Sequence, residues 1–327
     1  MIYIEPESRD PYFNLALEEY VFEELDPSQR YFMLWQNDNA IVVGKYQNTA
    51  QEVNQEFVDA HQIRVARRLS GGGTVYHDRG NLNFTFIVNE GDVESFNFQY
   101  FIRPVLAALN RFGIHAEFTG RNDITIEGKK ISGSSQYVKR GRVLHHGCIM
   151  VDSNLTDVAA ALRPKAAKFQ SKSAKSVASR VTSINTHSPE LVTVERFKAA
   201  LLEEVASTGT MERYPLTKED LTRVEDLAEN KYRTWEWTYG WSGSYNYRKR
   251  EKFGFGLVEV DAEVESGVIE RIRISGDFFG QGDIADLERA LMGERIDGDL
   301  GKRLEKKLEV GYYIQGMNPE QIQKLLR

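Results

Sequence analysis

A single cysteine, Cys148, stands among 327 residues, so no intrachain disulfide can form and a reducing compartment is expected. No stretch approaches the ~18 consecutive apolar residues of a bilayer-crossing helix, so no membrane association is expected. The N-terminal residues MIYIEPESRDPY carry acids where a secretory signal wants basic and then apolar residues, which points to a cytoplasmic protein. An excess of positive charge is also missing. Against 48 Asp and Glu there are 42 Lys and Arg, a net charge of −6, and this argues against nucleic acid as a partner. The six histidines show no HxxxH or cysteine-paired spacing, so zinc is not expected. Internal repeats and low-complexity tracts are absent. What is left, 41% hydrophobic and 28% charged, is ordinary for a globular enzyme, and the length suits about two domains.

Glycine, by contrast, is concentrated. Residues 67–78 read RRLSGGGTVYHD, three consecutive glycines between paired arginines and Thr74, Val75, Tyr76, His77 and Asp78. Glycine accepts positive φ and lets another group approach the backbone, so the triplet suits a tight exposed loop. Bare N–H groups there can face an anion, and Arg67 or Arg68 can add charge-assisted hydrogen bonds. The flanks IRVARR and TVYH read as strands. A strand–loop–strand differs from both the dinucleotide GxGxxG and the phosphate loop ending in Gly-Lys-Ser/Thr. A plain glycine-rich hairpin is the competing reading. The arginines before and the aromatic-His-Asp after favour a site.

The longer run RRLSGGGTVYHDRGNLNFTFI resembles the lipoate–protein ligase A family, relatives of the biotin protein ligases. NDITIEGKKISGSSQ at 122–136 resembles the same family, as does TWEWTYG at 234–240. The resemblance implies an α+β fold, with a large mixed-sheet catalytic domain binding lipoate and ATP over 1–245 and a small α+β accessory domain over 246–327. It implies a two-step reaction: lipoate carboxylate attacks the α-phosphorus of ATP to give lipoyl-AMP and pyrophosphate, then an acceptor lysine takes the lipoyl group and AMP leaves. ATP and Mg²⁺ would be co-substrates, lipoate the substrate, and no tightly bound prosthetic group is implied. Implied acceptors are E2 subunits of 2-oxoacid dehydrogenases and the glycine-cleavage H protein or an H-like protein. The family's essential lysine maps onto Lys130, which would bridge the lipoate carboxylate and the α-phosphate. Arg68, Asn83 and the loop residues Gly73, Thr74, Val75 and Tyr76 would hold the nucleotide, with Asp123 on Mg²⁺. Trp35, Ser70, Gly72, His77 and His146 would join Lys130 around lipoate. A lone Asp before a strand such as Asp123 is more often a turn cap, Asn83 reads nearly as well as a strand residue beside a turn, and the two histidines read equally as core residues or metal ligands.

Taken in order, Asp10-Pro11 opens a core helix bearing Leu17, Val21 and Leu25. Residues 31–35 and 40–44 read as a strand pair, 54–61 as a helix, 82–88 as an alternating strand and 96–112 as a helix ended by Gly113. Residues 120–152 read as a β-meander turning at Glu127-Gly128, with Lys129 on the face opposite Lys130. Residues 163–180 hold six basic residues and no acid. They read as a solvated linker or as a loop that closes over a nucleotide and aids docking of an acidic acceptor. The family pattern Lys-Gly-x-x-Ser-Val-Arg-Ser-Arg-Val here has Ser173 for the glycine and Ala178 for the first arginine. Helices are expected over 193–205 and 217–229, with alternate tryptophans at 235 and 237 packing rather than binding. A domain boundary is placed near 243–248. Beyond it come two strands around residues 265–267, helices over 283–292, 297–309 and 319–326, and no constellation with assignable chemistry.

Two rival functions stay in view. One is an ATP-independent octanoyl or lipoyl transferase using Cys148 as nucleophile. The other is a non-catalytic lipoate or adenylate carrier.

Overall fold

The computed structural model describes residues 1–92, 97–120, 122–162, 180–239, 247–265 and 267–326. In chain order the strands are β1 Ile2–Ile4, β2 Tyr31–Trp35, β3 Ala40–Val43, β4 Arg64–Arg67, β5 Val75–His77, β6 Asn81–Asn89 and β7 Glu117–Thr119. They continue as β8 Asp123–Ile126, β9 Lys129–Lys139, β10 Arg142–Met150, β11 Glu212–Arg213, β12 Tyr247–Phe253, β13 Gly256–Glu265 and β14 Val268–Gly276. Eight of them form one mixed sheet in the order β11-β1-β2-β6-β10-β9-β8-β7, and two three-stranded sheets run β4-β3-β5 and β12-β13-β14. The architecture is α+β.

Strand alternation explains why the large sheet is buried on both faces. Phe32, Leu34, Phe84 and Phe86 point to one side, where helices Phe98–Arg111 and Val194–Ala206 supply Phe101, Val105, Phe197 and Leu201. Tyr31, Met33, Trp35 and Ile87 point to the other, against Leu15, Leu17 and Val21 of helix α1, Pro11–Glu23. Asp10 caps α1 by accepting from the Tyr12 N–H, and Pro11 fills the first turn where no donor is needed. Strand β6 is therefore buried along most of its length, not half-exposed as an alternating strand would be.

Strands β2 and β3 do not pair. β2 lies between β1 and β6, whereas β3 sits between β4 and β5 in the small sheet, because residues 36–39 carry the chain from one sheet to the other. The glycine loop is likewise no hairpin: β4 and β5 flank β3, and the loop passes from one edge of that strand to the other. The meander is as expected, with Glu127 and Gly128 (φ 51° and 76°) turning β8 into β9.

The C-terminal part carries a third strand, β12, that hydrophobic periodicity misses because its sequence, YRKREKF, has few apolar residues. Helices Ile284–Leu291 and Pro319–Leu325 pack on this sheet, while the helix expected over 297–309 contracts to Leu300–Glu305. The basic segment, apart from Arg180, and most of the expected boundary lie outside the described residues.

Candidate active site

Lys130 is placed by a break in strand register. Thr125 pairs with Lys130 but Ile124 with Ser132, so β9 carries an extra residue, Ile131, opposite β8. Such a bulge bends the strand and re-aims a side chain. Here it lays the Lys130 ammonium across Gly133, where an added Cβ would sit 2.6 Å from Nζ. Lys129, its neighbour, is exposed. The Lys130 backbone is fixed from the far side, its N–H donating to Arg180 O at 2.8 Å and its carbonyl accepting from Thr182 at 2.9 Å. The ammonium makes a 2.8 Å ion pair with Asp123, both side chains being partly exposed.

The paired arginines order the loop between them and the rest of the fold. Arg67 is fully buried and donates to the carbonyls of Gly44, Lys45, Gln47, Trp237 and Thr238 and to Thr49 Oγ1. Trp237 returns a bond, Nε1–H to Arg67 O at 2.9 Å. Arg68 donates from Nε to Ser70 Oγ, from one terminal nitrogen to Val42 O, and from the other to the carbonyls of Gly71 and Gly73. Burial pushes both guanidinium groups down to about 10, in Arg68 against the pull of Cys148 and Glu18. Gly72 adopts φ +90°, and a Cβ on Gly71 would meet Phe278 O at 2.2 Å.

Behind the lysine lies a cavity of about 590 Å³ including its mouth. Of the residues expected at the site, Trp35, Arg68, Gly72, Gly73, Thr74, Val75, His77, Asn83, Lys130 and His146 line it. Asp123 joins through its pairing with Lys130, and Ser70 lies one shell back, 2.6 Å from His146 Nε2. Tyr76 points its ring the other way, into the apolar cluster of Ile41 and Val65. His77 is buried beside Arg68 and His146, and burial drives it down to about 3. It is therefore neutral at pH 7, with Nδ1 accepting from the Asn37 amide. Asn83 accepts from Asn81, and Trp35 donates to Thr85 Oγ1.

Several lining groups were not foreseen. Leu15 and Val42 form apolar wall and Ser135 donates to Gly71 O, while Gln47, behind the lining, accepts from both the Gly44 N–H and the Thr74 hydroxyl. Cys148 also lines the cavity, but burial raises its thiol despite Lys130 nearby, the wrong direction for a nucleophile. An apolar slot edged by an ammonium and by the glycine loop suits a long acyl carboxylate activated by a phosphate.

Residues 10–206 match the family model of the lipoyl protein ligase A/B catalytic domain, and residues 242–326 that of the bacterial lipoate protein ligase C-terminus. The chain is 38% identical over 330 residues to the lipoate-protein ligase LplJ of Bacillus subtilis, covering 100% of both chains. The crystal structure of P. falciparum LipL1 in complex with lipoate superposes with a TM-score of 0.79 at 24% identity, covering 99% of this chain and 98% of that one. A bi-partite lipoate protein ligase of Thermoplasma acidophilum, described together with its E2 lipoyl domain, gives a TM-score of 0.66 at 25% identity and covers 75% of this chain and 98% of its own.

Proposed function

Since the chain belongs to the lipoate–protein ligase family, we propose that its cavity holds lipoate with the carboxylate at Lys130, and that the glycine loop holds ATP beside it. The chain is a ligase that activates lipoate with ATP and forms an amide on a lipoyl-domain acceptor. Lipoate oxygen attacks the α-phosphorus, the bond to the pyrophosphate oxygen breaks, and lipoyl-AMP remains. The acceptor amine then attacks the acyl carbon, loses a proton and expels AMP. Neither step needs a covalent enzyme intermediate, because the adenylate is already activated. What both need is neutralised negative charge and alignment.

Lys130 supplies the charge. Its ammonium stands at the cavity mouth, held by Asp123 until carboxylate and phosphate oxygens replace that partner, and this placement carries the reading. Backbone N–H groups of residues 73–76 and Arg68 frame the nucleotide, with Asn83 alongside; Trp35, Ser70, Gly72, His77 and His146 shape the lipoate slot. Once released, Asp123 would offer a carboxylate oxygen to the Mg²⁺ that arrives with ATP, which would neutralise phosphate charge there. E2 lipoyl domains or an H protein are the acceptors, residues 1–245 form the catalytic unit, and the lone cysteine supports a cytoplasmic address.

The test combines protein, ATP, Mg²⁺, lipoate and an E2 lipoyl domain. Pyrophosphate release with lipoyl mass gained on the acceptor, both retained in Cys148→Ser, is the expected result. Acceptor modification without ATP use would establish the transferase instead, and binding without turnover the carrier.

A further inference from the structure

Helix α1 brings a buried carboxylate, Glu18, behind the cavity, outside the residues that line it. Both its oxygens lie 3.0 Å from His146 Nδ1. Glu18 Oε1 also accepts from the Thr85 hydroxyl, whose own oxygen is occupied by Trp35 Nε1–H. On the other side of the ring, His146 Nε2 is 2.6 Å from Ser70 Oγ, and Arg68 Nε donates to that same oxygen. All six side chains are buried.

The hydrogens in this chain can run only one way. A carboxylate only accepts, so His146 Nδ1 carries a proton. Ser70 Oγ receives the Arg68 Nε–H, and its hydroxyl hydrogen needs an acceptor, which His146 Nε2 supplies if the ring is neutral. An imidazolium would place two cationic donors on one hydroxyl and strand its hydrogen in a buried site. Glu, His and Ser in this order are those of a hydrolase triad, but Ser70 is 1% exposed and its oxygen is occupied by Arg68, so no carbonyl reaches it.

We infer that Glu18 is a positioning residue for the ligase reaction: it sets the His146 tautomer, through it the Ser70 hydroxyl, and through that the Arg68 fork gripping the carbonyls of Gly71 and Gly73. The kinetic part rests on the function proposed above, since the chain ends on the loop assigned to ATP. Glu18→Gln keeps the shape and reverses the direction. Its amide donates to Nδ1, the proton moves to Nε2, and Ser70 faces two donors with its own hydrogen unaccepted.

Two measurements test this. Long-range ¹⁵N–¹H correlation on the substrate-free protein reads the tautomer directly: Nδ1–H in the wild type and Nε2–H in Glu18→Gln are expected. An Nε2–H tautomer or an imidazolium in the wild type overturns the inference, whether or not the variant folds and whether or not the protein is a ligase. In steady-state kinetics Glu18→Gln and Ser70→Ala each raise KM for ATP about tenfold, alongside KM for lipoate, whose slot Ser70 and His146 shape, and the double variant is no worse than either. Multiplying effects would mean the two residues act separately and would overturn it too. Absence of wild-type pyrophosphate release would sink the proposed function while leaving the tautomer result standing.

Discussion

Gly133 is where one methyl group separates folding from function. A Cβ there takes the place of the Lys130 ammonium, the far end of a flexible side chain, and meets Asp123 Oδ1 at an ordinary 3.6 Å. Gly133→Ala is therefore expected to fold with a melting temperature close to wild type yet lose adenylation by roughly 10²-fold, the scale of a lost charge-stabilising donor. Full activity would show that the lysine works from another position. His77 supplies a pH signature. It titrates near 3 when folded, against ~6.5 when unfolded. Between those values the unfolded chain binds a proton that the folded chain refuses. Its contribution to stability is complete above about pH 6.5 and is lost as pH falls towards 3. Urea midpoints at pH 7 and pH 4.5 should fall less in His77→Gln than in wild type; an equal fall would mean His77 is not held neutral. At this scale the sequence was readable wherever chemistry is local, as in RRLSGGG and KISG. It was silent on Glu18, which reads as one more residue of a core helix, because its partners lie on β6 and β10.

Between elements, Arg67 acts as the clamp. One guanidinium ties β4 to the turn after β3 and to the short helix Trp235–Thr238. Arg67→Met should cost roughly 3 kcal/mol in denaturant stability, since several buried carbonyls lose donors together. A cost under about 1 kcal/mol would show that water replaces them. The meander and the capped helices were legible because turn residues and cap residues signal within a few positions. The pairing of β2 with β3 was misread for the opposite reason. Two short apolar runs with a polar link fit a hairpin equally well, and only the rest of the sheet decides which partner each takes.

For the whole molecule, the unexpected feature is that the C-terminal part meets the glycine loop. Phe278 O accepts from Gly72 N–H at 3.3 Å, the Phe278 ring stacks on Tyr46 at 4.8 Å, and Phe279 enters the catalytic core beside Phe98. Nothing local in the sequence marks Phe278 and Phe279, since two aromatics after a strand are ordinary core residues. Phe279→Ala is expected to raise KM for ATP more than KM for lipoate; a lower melting temperature with unchanged kinetics would make the contact purely structural.

The account stands on one side chain serving both half-reactions, so the decisive measurement bypasses the first. Wild type and Lys130→Ala are each given preformed lipoyl-AMP and an E2 lipoyl domain, and the acceptor's mass is followed. Transfer slowed by roughly 10²- to 10³-fold in the variant, alongside lost pyrophosphate release from ATP and lipoate, is predicted. Transfer at the wild-type rate would contradict a role for the ammonium in the second step, and pyrophosphate release at the wild-type rate would contradict its role in the first.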